Sequence, residues 1–350
     1  MRALAAAPGR LWAHVRHEIF VLPSRSLVFA GCVLLLALPL VYGDPYVMRI
    51  VTMAAIFAIF AASWDLLAGY TGQVSFGHAL FFGVGAYTSA LVSLKLGWSP
   101  WLTVPLGSLT AMVSGLVVGF LCLRLRGSYL SLATLAFPLI AIGLLFAFPD
   151  FSGGELGISG LRRLAVTPLA NYYIAVIAMI AACFTMWKIG DSNTGLIFHA
   201  IREDELAARA SGINTPRYKL LAFALSALFA GVAGALFAHF LRVAGPSSLE
   251  VALSFQAVIW GIFGGVATIY GPVIAVFLLY PLTELVLAEF DIFKEIRLLL
   301  SALIVLLVLL FMPRGLTPWV RDKIEAACPR CKNRNVFTRQ NCRLCGASLE

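Results

Sequence analysis

An all-α, polytopic membrane protein is the fold class this sequence predicts, and three observations predict it. Hydrophobic residues make up 61% of the 350 and charged residues only 12%, about half the roughly 25% of an ordinary soluble domain. The charges are bunched, and between them lie apolar runs of about 18 to 22 residues, each long enough at about 1.5 Å per residue to cross a hydrocarbon core of about 30 Å. The runs are continuous, which excludes the alternating ten-residue strands of an outer-membrane barrel. A large soluble catalytic domain is also excluded, because subtracting the runs leaves no stretch near the roughly 100 residues a second core needs.

Taken in order, the runs place spans at 27–42, 47–68, 79–96, 101–123, 128–149, 170–188, 219–241, 253–269, 271–289 and 295–312. The chain then divides into an N-terminal segment 1–26, a membrane domain 27–312 and a tail 313–350. Residues 1–26 carry a net +3 and residues 313–350 a net +5, out of +9 for the whole chain. Basic ends beside membrane spans belong in the cytoplasm, so both termini are expected inside and the number of crossings even. Ten spans satisfy that parity, with Arg124, Arg126 and the loop carrying Arg202, Arg209, Arg217 and Lys219 inside and the Glu289–Glu295 link outside. Eight crossings satisfy it too, if Gly261, Gly264, Gly265, Gly271 and Pro272 turn the 253–289 region into a re-entrant pair. The basic ends face anionic lipid in this reading, and no nucleic acid is expected. Arg2, Arg10, Arg16 and Arg25 precede the first run without a small-residue cleavage site behind it, so the first span is expected to stay.

Two regions put glycine and polar side chains where hydrocarbon should be. The first is GYTGQVSFGHALFFGVG from Gly69, and the second is GIFGGVATIYGP from Gly261. Irregular backbone at that depth must be sheltered by protein or line a cavity. Broken helices near the midplane are where transporters place ligand and gate contacts. Gly72, Gln73, Ser75, Gly77 and His78, with Gly264 and Gly265 in the second break, are therefore the candidate pathway or gate residues. Close packing of helices through small residues is the competing account of the glycines. Asp65 and Glu284 are the ionisable groups within spans, and both are expected to be solvated near the membrane surface. Two groups are too few for a proton relay, so the driving force must come from elsewhere.

Between Gly195 and Lys219 the chain reads as a short amphipathic helix, with Ile201, Leu206, Ala207 and Ala210 beside Arg202, Glu203, Asp204, Glu205 and Arg209 and with Gly212 as its stop. A helix lying on lipid would be dominated by Lys and Arg, whereas three consecutive acids favour a groove on a cytoplasmic partner.

Four segments in order carry a family resemblance: GYTGQVSFGHALFFGVGAYTSA from Gly69, RGSYLSLATLAF from Arg126, AIREDELAARASGINTPRYKLLAFALSALFAGVAGALFAH from Ala200 and FGGVATIYGP from Phe263. Together they resemble the permeases of branched-chain amino acid ABC importers, specifically the M-type subunit of the heterodimer, over roughly residues 45–315. The resemblance implies a plasma (inner) membrane subunit that pairs with a second permease subunit. It further implies docking of two cytoplasmic ATP-binding subunits and receipt of solute from an external solute-binding protein. It implies alternating access driven by those ATPases, and makes the 195–219 loop the coupling loop, with Ala200, Ile201, Arg202, Glu203, Glu205, Ala207, Ala208 and Gly212 as its contact residues. The family's coupling pattern is Glu-Ala-Ala, three residues, Gly. Ala207, Ala208 and Gly212 match it, while Leu206 stands at the Glu position and Glu205 sits one residue early. The sequence contains no G-x-x-x-x-G-K-[ST] phosphate loop, so no nucleotide is expected on this chain alone and the chain is not expected to be an enzyme.

Cys328, Cys331, Cys342 and Cys345 fall outside that resemblance. They form two C-x-x-C knuckles ten residues apart, a spacing that supplies four thiolates to one tetrahedral zinc in a zinc-ribbon-like module. A reducing cytoplasm disfavours a disulfide, and the readings against which zinc is weighed are a redox pair and an unstructured tail. Four thiolates leave no open position, so this zinc is structural. Cys32, Cys122 and Cys183 sit singly in apolar runs and read as packing residues.

An importer permease for branched-chain or other apolar amino acids is thus the leading reading. A permease for urea, short amides or another small solute is the alternative, since selectivity can reside in the absent binding protein. A membrane-anchored zinc-ribbon scaffold or sensor is a second alternative that leaves the glycine breaks unexplained.

Overall fold

A computed structural model describes residues 23–41, 43–125, 127–286, 306, 310, 315–328, 331, 334–336 and 345. The helices of the membrane domain are α1 (Pro23–Val41), α2 (Pro45–Thr71), α3 (Ala79–Lys95), α4 (Pro100–Cys122), α5 (Ser128–Ala147), α6 (Pro168–Gly190), α7 (Asn193–Glu203), α8 (Glu205–Ala210), α9 (Thr215–Leu241), α10 (Val251–Gly264) and α11 (Tyr270–Pro281). Each of the first nine apolar runs coincides with a helix. The expected span at 295–312, the Glu289–Glu295 link and Arg126 lie outside the described residues, apart from Leu306 and Leu310.

Among the described residues, five helices are long and apolar enough to cross a membrane: α2, α4, α5, α6 and α9. Several of them begin with the same local chemistry. Asp44, Thr167 and Asn214 each accept a backbone N–H from the first turn that follows, and Pro45, Pro168 and Pro216 fill positions whose N–H groups have no intrahelical partner. The 253–269 run folds as α10, of 14 residues, or about 21 Å at 1.5 Å per residue. The 271–289 run begins as α11 and continues into the π turn Leu282–Val286, beyond which it lies outside the described residues. The helical ladder stops at Gly264, and Gly265 and Ala267 turn the chain with positive φ.

α2 is the hub of the unit formed by Gly43–Gly315. Every residue from Ile50 to Thr71 is buried. Its sequence is apolar all round rather than on one stripe, which is what a helix enclosed by other helices requires. It packs against α6, α9, α10 and α11, while α9 packs against α3 and α4. The α9 contacts are close because a side chain on Gly231 or Gly234 would collide with α4 or with the Phe82 backbone of α3. That is the small-residue packing by which helices associate in lipid, where apolar burial offers no drive. The outer faces of α4 and α5 expose Leu109, Val113, Phe120, Leu132, Ile140 and Leu144, stable in hydrocarbon and costly in water.

At the far end of α9, β2 (Val243–Ala244) pairs antiparallel with β1 (Ile158–Ser159). Leu161 is buried there against Ala86, Ala90, Ala238 and Ala244. His239 Nδ1 bonds Arg162 O at 2.8 Å, and Arg242 Nε donates to Leu161 O at 3.0 Å, tying the 158–162 loop to the helix ends.

A second unit joins the described residues before 43 to those from Leu316 onward. It holds a short amphipathic helix, α12 (Leu316–Ile324), followed by the antiparallel pair β3 (Glu325–Ala327) and β4 (Arg334–Val336).

Candidate functional site

Three places bear on function: the 193–215 loop, the two broken segments, and the cysteine cluster of the tail.

The loop holds two helices where the sequence predicts one. Asp204 leaves the helical region at φ −153° and ψ 107°, ending α7, and its carboxylate then accepts the N–H groups of Leu206 (2.8 Å) and Ala207 (3.0 Å) to start α8. An acid that caps a helix start is more stable at a break than within a continuous helix. Gly212, at φ +84°, closes α8 as the pattern predicts, with Ile213 N donating back to Ala208 O at 3.1 Å.

Glu205 faces inward. Its carboxylate pairs with Arg209 and, at 2.7 Å, with Lys219 of α9, and it also accepts from Thr215. Ile201 and Ala208 are buried anchors. Ala200, Arg202, Glu203, Ala207 and Gly212 are on the surface. Leu206, at the position where the family pattern has Glu, is 64% exposed. The loop thus holds Glu205, the acid one residue before the pattern's position, internally and presents an apolar knob.

Gln73, Ser75 and His78 lie on an irregular segment that turns back along the last two turns of α2. Trp64 Nε1 donates to Ser75 O at 2.9 Å, Gln73 Nε2 donates to Thr71 Oγ1 at 2.8 Å, and His78 Nε2 lies 2.9 Å from Ser63 Oγ. Ser63 gives its hydroxyl proton to Phe60 O (2.7 Å), so His78 Nε2 carries the hydrogen and donates to Ser63. The ring sits between Phe60 and Phe81, and its Nδ1 has no partner among the described residues. On the other side, α5 holds the segment through Ser131 Oγ to Val74 O (2.8 Å) and Phe76 N to Thr134 Oγ1 (3.1 Å). A Cβ on Gly77 would strike the Thr134 carbonyl, so only glycine lets the strand lie this close. All three polar side chains are buried in this arrangement.

Gly264 and Gly265 form a separate cluster at the α10–α11 turn, with Gly264 against Gly271 and Gly265 against Gly315. Sequence reasoning missed what holds this turn. Asp65, expected to be solvated, is fully buried and accepts three backbone N–H groups, from Ala267 (2.7 Å), Thr268 (3.0 Å) and Ile269 (3.0 Å). The isolated acid in an apolar run was the available signal, but its partners lie about 200 residues away and are backbone, which no side-chain pattern reveals. Glu284 is half-buried in a π turn, Leu282–Val286.

In the tail, Cys328 directly follows β3 and begins the turn to β4, and Cys331 lies in that turn. The sulfurs of Cys328, Cys331 and Cys345 lie within 4.8 Å of one another, and Cys328 and Cys345 are 3.5 Å apart. Thiolates about 2.3 Å from one tetrahedral ion stand about 3.8 Å apart, whereas a disulfide needs about 2.05 Å. The three thiols therefore have the spacing of metal ligands. Cys342 lies outside the described residues.

Residues 46–309 match the family described as the permease component of the branched-chain amino acid transport system. The chain is similar to the high-affinity branched-chain amino acid transport system permease protein LivM of Salmonella typhimurium, 28% identical over 91% of this chain and 83% of that protein. It is 29% identical to LivM of Escherichia coli over 79% of this chain and 71% of that protein. The permease protein LivH of Salmonella typhimurium is 26% identical over 76% of this chain and 92% of its own length. No solved structure matches the chain.

Proposed function

This chain belongs to the permease family of branched-chain amino acid transport systems, and from that membership we propose that it is the M-type transmembrane subunit of an ABC importer for leucine, isoleucine, valine and related apolar amino acids. It sits in the inner membrane with both termini in the cytoplasm. It pairs with a second permease subunit, docks two ATP-binding subunits and accepts solute from an external binding protein. ATP hydrolysis in the docked subunits drives alternating access. Apolar substrates pass along a path bordered by the 72–78 break and by the mouth of α10, where Ser254 of α10 already reaches Ala79 N at 2.8 Å. Gln73, Ser75 and His78 are held inside in the arrangement described and move with α5 when the path opens.

The α7–α8 loop is the observation that carries this reading. It is anchored by Ile201, Ala208 and the Glu205–Lys219 pair, and it exposes Ala200, Glu203, Leu206 and Ala207 together. A short rigid element with an apolar tip and mixed charge is built to be pushed by a partner groove rather than to lie on lipid. Leu206→Asp places a charge on that tip without touching the anchors. It is expected to reduce recovery of the ATPases with the purified permease at least five-fold and to lower leucine uptake equally. Unchanged recovery would remove the loop from the interface.

Zinc is the metal that suits the tail. Cys328, Cys331, Cys345 and the fourth thiol of the C-x-x-C pair, Cys342, would hold it, and it would supply a structural cross-link and no Lewis acid.

A further inference from the structure

We propose that Asp65, Gly69 and Arg202 form a joint through which the cytoplasmic helix α7 sets the conformation of the α10–α11 turn, with Asp65 and Arg202 as positioning residues for transport. The proposal rests on the reading of α7–α8 as the coupling loop.

Three elements meet at this joint. The last two turns of α2 carry Asp65 and Gly69, the last turn of α7 carries Arg202, and the third element is the turn 265–269. The Asp65 carboxylate accepts from Ala267, Thr268 and Ile269 in succession. Three N–H donors converging on one group favour an acceptor-only partner, the ionised carboxylate. The turn it holds is strained, because Ala267 and Ile269 have φ of 63° and 56°. Side chains other than glycine adopt this region only where surrounding contacts enforce it. Within the turn, Thr268 Oγ1 donates to Gly265 O at 2.6 Å and accepts from Gly271 N at 3.1 Å. Released from Asp65, the 267–269 backbone would lose the partners that hold it in that conformation.

Arg202 completes the linkage from the other side. Its guanidinium donates to the carbonyl of Gly69, one turn beyond Asp65, where a cation also complements the negative end of the α2 dipole. Gly72, at φ +72°, ends α2 directly under the Arg202 stem. Gly69 has no room for a side chain, because a Cβ there would overlap the Asp65 carboxylate and the Ala267 nitrogen. Displacement of α7 must therefore either break the Arg202 bond or carry the end of α2 with it, and Asp65 passes that movement to the turn. Among the described residues Arg202 makes no bond to the turn itself, and its effect on residues 267–269 travels through the end of α2 that it holds.

That indirectness supplies the test. Amide hydrogen exchange at 267–269 is measured in the full chain purified with its partner permease, without ATPases or solute. Asp65→Asn is expected to raise exchange at these amides at least ten-fold. Arg202→Gln, a surface substitution, is expected to raise it at least three-fold, Arg202→Lys less than two-fold, and Arg217→Gln, which removes an equal charge elsewhere on the loop, not at all. Unchanged exchange in Arg202→Gln would overturn the joint even if Asp65→Asn fails to fold. Exchange needs no transport, so a joint that responds in a complex moving no branched-chain amino acid would refute the functional reading and leave the joint standing.

Discussion

Glu205 illustrates how one residue's surroundings decide its role. By pattern it stands one place from the family's acidic contact, yet Lys219 and Arg209 turn it inward, and the exposed position beside it is an apolar leucine. His199 makes a second such case. It lies on α7 with its ring 4.8 Å from that of Tyr70. Burial first, and then the charge of Arg202, hold its imidazole below the usual range, with Glu203 opposing. A histidine whose folded-state pKa is lowered binds fewer protons folded than unfolded. Its penalty is absent above the ordinary value of about 6.5 and grows as pH falls below it. Exchange protection across 193–203 is thus expected to weaken between pH 7.5 and 5.5, and His199→Phe, which keeps the ring contact, to flatten that dependence. An equal pH response in His199→Phe would assign the effect to another group.

At the scale of elements, most of the helices were legible and the departures share a cause. Apolar run length locates α2, α4, α5, α6 and α9 because lipid demands continuous apolar sequence of fixed length. The breaks at Gly72–His78 and Gly264–Ile269 were legible as breaks, since in each several glycines and polar residues together interrupt an apolar run. Their geometry was not legible, because it is fixed by distant groups: Asp65 for one, Ser131 and Thr134 of α5 for the other. The Asp204 interruption between α7 and α8 was missed for a different reason. Asp is acceptable both inside a solvated helix and at a helix start, and only the backbone tells which. The clustering of Cys328, Cys331 and Cys345, by contrast, was legible from spacing alone, and β3–β4 places the first two at its turn. One zinc per chain is expected by elemental analysis of the purified protein, falling at least five-fold in Cys328→Ser with Cys331→Ser. An absence of bound zinc in protein purified without chelator would leave the knuckles without the metal assigned to them.

On the largest scale, the Gly43–Gly315 unit is a buried central helix wrapped by small-residue contacts, with large apolar faces outward on α4 and α5. The two glycine breaks lie in different places. One is lodged between α2 and α5, and the other is pinned to the end of α2 beside the α7–α8 loop. In the function proposed above, that division separates the part that yields to solute from the part that answers to the ATPases. Ionisable side chains are few within the described spans, and Asp65 is engaged there by three backbone N–H groups. In the function proposed above, energy enters through the docked ATP-binding subunits at the α7–α8 loop.

The central claim is tested most directly in proteoliposomes containing this chain, its partner permease and ATP-binding subunits, with ATP sealed on the side of the ATP-binding subunits and the binding protein on the other. Radiolabelled leucine, isoleucine and valine are expected to accumulate with ATP and not with a non-hydrolysable analogue, and to fail to accumulate when this chain is left out. Accumulation without ATP would contradict the importer mechanism. ATP-driven uptake of urea or a short amide, with none of the three amino acids moved, would contradict the assigned substrate class.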